Sequence, residues 1–306
     1  MRMGIGLVLA VVGCLVVLQM GTFVQGARQS VKGSVISDQT VTGFVHPESV
    51  AYDPQARVLY VGQFGSVLKP TLRDGKGKIS KVSVTGKLLE EQFLPAPGGV
   101  LNKPKGIWVA GSRLWVTDID VVWIFDLKTR RGRQAALPGA KFANDPTVMD
   151  NVLFVSDSAA NRIYRVEPAD FLGIRTDPRV TVFVEGLPCC PNGLYPAHDG
   201  SLLVVGNDMA GGDCGIYSVR PGGEVKILST DLGGLDGVAQ LGDGSLLVTD
   251  WKSSSLFRWD AMTGMKILVK GFKGPADFCV VPEAKGFLVV VPDLVKSELR
   301  LIRLLK

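Results

Sequence analysis

The sequence predicts an all-β protein, a six-bladed β-propeller, on three observations. Six times a polar turn leads into an apolar run, a second turn and another run. The units recur at about 40 residues, a propeller period. Helical periodicity is nearly absent, apart from one turn expected around Ala169 to Leu172.

The 306 residues are 46% hydrophobic, enough for one large closed domain or two ordinary ones. Charged residues make up 21% and the formal charge is only +5, which points away from a nucleic-acid partner. The tight basic cluster, Arg130, Arg131 and Arg133, falls in a turn and reads as a solvated loop.

Residues 1–27 read as a signal peptide or N-terminal anchor. Arg2 precedes an apolar or small stretch from Met3 to Met20, and Val24-Gln25-Gly26 suits cleavage after Gly26, with Ala27 as the alternative. The stretch is also about the minimum that spans a bilayer, so an uncleaved tether is the other reading. Val11-Val12-Gly13-Cys14 resembles a lipoprotein processing site, but the apolar run continues past Cys14. The expectation is an exported protein, periplasmic or extracellular, with residues 28–306 forming the propeller and membrane contact only through the N-terminus. Export permits a bridge from Cys189 or Cys190 to Cys214, while four separate thiols, Cys279 included, are the simpler expectation.

Each unit has a recognisable start, second run and third run. The first runs His46-Pro47-Glu48-Ser49-Val50, Val58 to Val61 and Gly77 to Val82; the second runs Lys103 to Ile107, Leu114 to Asp118 and Val122 to Asp126. The third runs Ala143 to Thr147, Leu153 to Asp157 and Asn161 to Val166; the fourth runs Pro191 to Leu194, Leu202 to Val205 and Gly215 to Val219. The fifth runs Leu235 to Val238, Leu246 to Asp250 and Ser255 to Asp260; the sixth runs Pro275 to Phe278, Phe287 to Val290 and Leu299 to Ile302. The second runs are almost wholly apolar, as a strand covered on both faces requires, whereas the third alternate. Asp74-Gly75, Asp199-Gly200, Pro221-Gly222-Gly223 and Asp243-Gly244 supply the turns. A single blade cannot cover its own faces, so the ring must close, and Gln39 to Phe44 is placed to give the last blade its outer strand.

The starts of innermost strands converge on a propeller's channel. Here they carry Glu48, Lys105, Asn144 or Asp145, Asn192, Asp236 and Asp277. Carboxylates and amides without histidine or thiolate form an all-oxygen set, suited to Ca²⁺ first and Mg²⁺ or Mn²⁺ next. The only histidines, His46 and His198, have no zinc-ligand company. Clustered acids would also repel one another unless Lys105 or a cation offset them. Singly, Asn192-Gly193 and Asp236-Gly237 are ordinary turn formers; their equivalent places in a repeat argue for a shared site. Asp118, Asp157 and Asp250 read as structural turn caps and His46 as a rim residue. Trp108, Trp115, Trp123 and Trp259 read as packing between blades, and Trp251 as lining the mouth.

Pro47-Glu48-Ser49, Asn144-Asp145-Pro146, Pro191-Asn192-Gly193-Leu194 and Leu235-Asp236-Gly237 resemble, in order and spacing, the four markers of the senescence marker protein/gluconolactonase (regucalcin-like) family. The resemblance implies a six-bladed propeller that hydrolyses lactones with calcium. It makes Glu48, Asn192 and Asp236 metal ligands and Asn144 a further ligand or substrate-orienting group. Asp236 becomes the base, with Asp145 or Asp277 as the alternative. Phe142 stands where sugar-lactone hydrolases of the family tend to carry arginine, and Pro146 where glycine is frequent, which points to a less polar substrate. The expectation is therefore a metal-dependent hydrolase of a small lactone or related ester, with Asn144, Phe142, Lys105, Asp277 and Trp251 at the substrate. A non-catalytic propeller plugged by a metal is the main alternative, and a propeller lyase or strictosidine-synthase-like enzyme the third.

Overall fold

A computed structural model describes residues 34–208 and 210–305. The leader expected at 1–27 lies outside the described residues. All regular structure among those residues is strand, arranged as six four-stranded antiparallel sheets. The turn expected at Ala169 to Leu172 is a run of bends, not a helix. No helix among the described residues is long and apolar enough to cross a membrane.

Five blades are built from consecutive strands, and their innermost strands are Pro47–Asp53, Pro104–Ala110, Ala143–Met149, Pro191–Pro196 and Leu235–Gln240. The sixth combines Cys279–Glu283, Gly286–Asp293 and Glu298–Leu305 with Val35–Thr42 from the other end of the described chain. That N-terminal strand pairs antiparallel with the C-terminal one from Val35↔Leu304 to Thr42↔Glu298. The expected closure is present and begins earlier than Gln39. Parallel contact between Ser49 and Asp277, with Asp277 N donating to Glu48 O at 3.1 Å, joins the sixth blade to the first.

The core sits between blades. Leu114 and Val116 pack with Ile107, Tyr60 and Ile79 toward the first blade, while Trp115 between them packs with Val155 and Tyr164 of the third. Leu246 and Val248 face the fourth blade and Leu247 faces the sixth. This is why the second runs are apolar at every position: successive side chains point to opposite faces, and both faces are covered. Trp115 and Trp259 are buried at these interfaces; Trp123 stacks on Phe125, and Trp108 is only half-buried.

In the second, third and fifth blades, two adjacent side chains at the end of the second strand hold the blade in place. Asp118 accepts from Asn102 N at 2.7 Å and Lys103 N at 2.8 Å; Asp157 accepts from Lys141 N and Phe142 N, both at 2.9 Å. Asp250 accepts from Gly234 N at 3.0 Å, and Asp293 from Lys273 N and Gly274 N at 2.8 and 3.0 Å. In the first blade Gln63 Oε1 takes Val45 N at 2.7 Å. These are the structural caps expected of Asp118, Asp157 and Asp250, and each fixes the segment leading into its own innermost strand. The residue before them works sideways. Ser156 Oγ donates to Asn192 O at 2.6 Å, Thr249 Oγ1 to Ala276 O at 3.0 Å, and Thr117 Oγ1 to Asn144 O, in each case across to the next blade.

The fourth blade has Gly206 where an aspartate would stand, opposite Pro191. There Cys189 is joined to Cys214, with Cα atoms 5.8 Å apart, and Cys190 and Cys279 are free. The expectation of four separate thiols is corrected. Cys189 lies at the same lead-in position that aspartate secures elsewhere, and a covalent tie to the third strand takes over the task.

Asp250→Ala removes the acceptor for Gly234 N, Lys252 N and Ser253 N. It is expected to cost about 2–4 kcal/mol in urea unfolding, because buried donors are left unpaired. A loss below about 0.5 kcal/mol would show that water replaces the carboxylate.

Candidate functional site

Every innermost strand carries one extra residue relative to its partner at the same level. Pro104 pairs with Asp118 and Ile107 with Val116, so Lys105 and Gly106 fall in a bulge; Pro47, Ala143, Pro191 and Leu235 start the same pattern. In the sixth blade the bridge Pro275↔Asp293 is followed by Cys279↔Val290. A bulge re-aims side chains that an unbroken strand would send to alternate faces.

Aligning the blades by register gives two layers. The first holds Glu48, Lys105, Asn144, Asn192, Asp236 and Ala276; the second, one residue on, holds Ser49, Gly106, Asp145, Gly193, Gly237 and Asp277. Expecting Asp277 in one ring with the others is therefore corrected, and of the alternatives Asn144 or Asp145 the register puts Asn144 in the first layer. The glycines make room for the next blade. A Cβ on Gly193 would stand 2.2 Å from Asp236 O, and one on Gly106 2.4 Å from Asp145 Oδ1.

The first layer is tightly packed. Glu48 is 6% exposed, Asp236 6% and Lys105 0%. Asn144 Nδ2 donates to Asn192 Oδ1 at 2.6 Å and to Ser158 Oγ at 3.0 Å. Trp251 Nε1 donates to Asp236 Oδ2 at 2.8 Å, so Trp251 does reach the channel. Its partly exposed ring packs on Phe64, Ala276 and Leu294, giving the ring one apolar side where the sixth blade offers no polar group. Glu48 Oε2 and Lys105 Nζ are buried without a hydrogen-bond partner among the described residues. The neighbouring Lys103, equally buried, instead donates to Phe64 O, Val67 O and Asp74 Oδ2 at 2.8, 3.1 and 2.8 Å. Lys105 Nζ lies 4.3 Å from the centre of the Phe142 ring, so Phe142 covers the ammonium group. His46 is a rim residue, its Nδ1 3.0 Å from Leu294 O.

In the second layer Asp145 Oδ2 accepts Leu194 N at 2.7 Å. Asp277 Oδ2 accepts Ser49 Oγ at 2.6 Å, and Ser49 Oγ also takes Ile107 N at 3.2 Å, linking three blades. Sequence reasoning missed Ser49, Ser156, Ser158, Thr117 and Thr249. For Thr117, Ser156 and Thr249 the signal available was the hydroxyl before the recurring aspartate in Val-Thr-Asp and Val-Ser-Asp.

Burial and mutual repulsion raise the affinity of the acids for protons. Burial, then repulsion from Asp236 and Asp277, pushes Glu48 well above its ordinary range, against the pull of Lys105. Asp145 is raised by burial and then by Asp277. Asp236 is pushed up to about 7 by burial and Asp277, opposed by hydrogen bonds from Trp251 and Asn192. Burial also lifts Asp277 to about 7, opposed by Ser49, and lowers Lys105 to about 8, opposed by Glu48. Among the described residues, no three His, Cys, Asp or Glu side chains already form a metal-sized cluster. A cation at the first layer would need the amide oxygens of Asn144 and Asn192 beside Glu48 and Asp236.

No family profile matches the sequence, and no curated protein matches it. Solved structures do match in shape. A candidate gluconolactonase is 14% identical with a TM-score of 0.64, over 88% of this chain and 92% of that one. A catalytically inactive virginiamycin B lyase from Staphylococcus aureus, solved with quinupristin, is 15% identical with a TM-score of 0.58, over 88% and 99%. A chain of a nidogen/laminin complex is 15% identical with a TM-score of 0.54, over 86% and 92%. At these identities the likeness establishes the propeller fold.

The raised carboxyls set the sign of a pH effect. Asp236 and Asp277 have folded values of about 7 against an ordinary 3.8, so the folded chain holds more protons across that window. Their contribution to stability is present at the acidic end and lost as pH rises through 7. In chelator, Tm is expected to fall from about pH 5.5 to about pH 8; a flat or rising Tm would mean that both groups ionise normally.

Proposed function

We propose that the first-layer end of the channel is a hydrolytic site that opens a lactone or related ester with a divalent cation, Ca²⁺ first. The observation that carries this reading is Glu48 Oε2, buried and unpartnered in the layer that holds Asp236, Asn192 and Asn144. An all-oxygen donor set with surplus negative charge and an orphan carboxylate oxygen fits a hard cation. Glu48, Asn192, Asp236 and Asn144 would hold the ion, which when bound supplies a Lewis acid for a carbonyl oxygen.

The remaining chemistry belongs to the chain. Asp236 is the base that takes a proton from attacking water. Trp251 donates to its Oδ2 at 2.8 Å, which orients the carboxylate for that transfer. Asp145 is a weaker choice for this step, because it lies in the second layer tied to Leu194 N. Lys105 adds positive charge beside the ring, and Phe142 shields it from solvent. The partly exposed Trp251 indole, backed by buried Phe64 and Leu294, borders Asp236 and suits an alkyl or aryl lactone better than a sugar lactone. Export belongs to the same reading and is supported by the Cys189–Cys214 bridge.

The protein should be stripped with chelator, then assayed on aliphatic and aromatic lactones with Ca²⁺ restored. Calcium is expected to raise Tm at about pH 8 and restore turnover; Glu48→Gln weakens the Tm response at least about tenfold in calcium concentration. Asp236→Asn is expected to lower kcat/KM by about 10²-fold or more. Calcium binding without turnover on any lactone or ester would leave a metal-plugged binding propeller. Separately, Trp251→Phe removes a hydrogen bond that lowers the Asp236 pKa. The acidic limb of the kcat/KM profile is expected to move to higher pH; an unmoved limb would exclude Asp236 as the base.

A further inference from the structure

The second layer opens onto a separate space. Beyond Asp145 and Asp277, the innermost strands enclose a cavity of about 440 Å³. It runs toward the far ends of those strands, to a rim where Pro54 and Pro282 are exposed. None of the first-layer side chains Glu48, Lys105, Asn144, Asn192 and Asp236 lines it. Its walls are apolar and aromatic, with half-buried Trp108 and Tyr195 in edge-to-face contact at 6.3 Å. The indole N–H of Trp108 is buried without a partner among the described residues.

The charge in this cavity is one-sided. Asp145 and Asp277 are its ionisable carboxylates, and no Lys, Arg or His stands among the described residues that line it. Only neutral donors hold these carboxylates, Leu194 N for Asp145, and Ser49 Oγ with the backbone N–H of Phe278 for Asp277. Asp145 is 5% exposed and its Oδ1 takes no hydrogen bond from the described residues, its one side-chain bond being at Oδ2. The two acids at the base of this aromatic-walled cavity have no counter-charge among its lining residues, and burial leaves them holding protons that a bound cation would displace. A cavity of this volume is in the range that encloses a small organic molecule. A cation bound there would meet both carboxylates and the faces of aromatic rings.

We propose that this far-end cavity is a binding site for a small organic ammonium ion with an aromatic body, separate from the Glu48 ring. The proposal does not rest on lactone hydrolysis; the two sites use different layers of the same strands. The ammonium group sits between Asp145 and Asp277, and the ring lies against Trp108 and Tyr195.

Calorimetric titration of the chelator-treated chain with 2-phenylethylamine and with 2-phenylethanol tests this directly. The two probes share an aromatic body and differ in charge. The amine is expected to bind roughly tenfold or more tightly than the alcohol, with no need for divalent ions. Asp145→Asn and Asp277→Asn should each remove most of that preference and leave the alcohol unchanged. Val280→Trp, which fills the cavity from its wall, should abolish binding of both. Equal affinity for amine and alcohol in the unaltered protein overturns the proposal, as does no binding of either at about 10 mM. Amine binding that survives Val280→Trp, or is lost in Glu48→Gln, also overturns it by placing the ligand elsewhere.

Discussion

The architecture depends on a hydroxyl–carboxylate pair at the end of the second strands. In Thr117-Asp118, Ser156-Asp157 and Thr249-Asp250 the aspartate secures the segment leading into its own blade, and the hydroxyl bonds to the first-layer carbonyl of the next. One dipeptide thus fixes both the height of a channel residue and its distance from its neighbour. Charge-assisted bonds to backbone N–H groups are among the stronger polar contacts a buried site can make. The blades that lack the pair show what it does. The first uses Gln63, the sixth keeps Asp293 after a proline, and the fourth, with Gly206, is secured by the Cys189–Cys214 bridge.

That scaffold lets the channel hold an electrostatic arrangement that would not assemble by itself. Glu48, Asp145, Asp236 and Asp277 crowd a low-dielectric space, with Lys105 as the ammonium group beside them. Removing such groups from water costs several kcal/mol each, and repulsion adds to it. The cost is carried by apolar packing between every pair of adjacent blades, which is insensitive to the charge state of the channel. Groups poised near neutrality are what proton transfer and cation binding both require. The two layers divide these acids between environments: amides and an apolar indole border the first, an aromatic cavity the second.

The glycines of the second layer have a matching role. Gly106, Gly193 and Gly237 lie where a side chain would strike the neighbouring blade, and the two non-glycine acids, Asp145 and Asp277, reach into space these glycines leave. The Asn-Gly and Asp-Gly pairs that look like turn signals in isolation are thus close-approach positions inside strands. Propeller folds carry unrelated functions, so chemistry has to be argued from the channel, not the fold.

The chain's periodicity by itself determined six blades, the two-faced second strands, the N-terminal closing strand and the convergence of Glu48, Asn144, Asn192 and Asp236. All of these follow from period and order, which the linear text carries. Tertiary structure alone decided that Asp145 and Asp277 stand one layer behind, and that Ala276 leaves the sixth blade mute in the first. It also decided that Cys189 rather than Cys190 meets Cys214, and that a second cavity opens at the far end. The reason is the bulge: one unpaired residue per innermost strand shifts register without altering hydrophobic pattern or spacing, so it becomes visible only when each strand is paired with its neighbour.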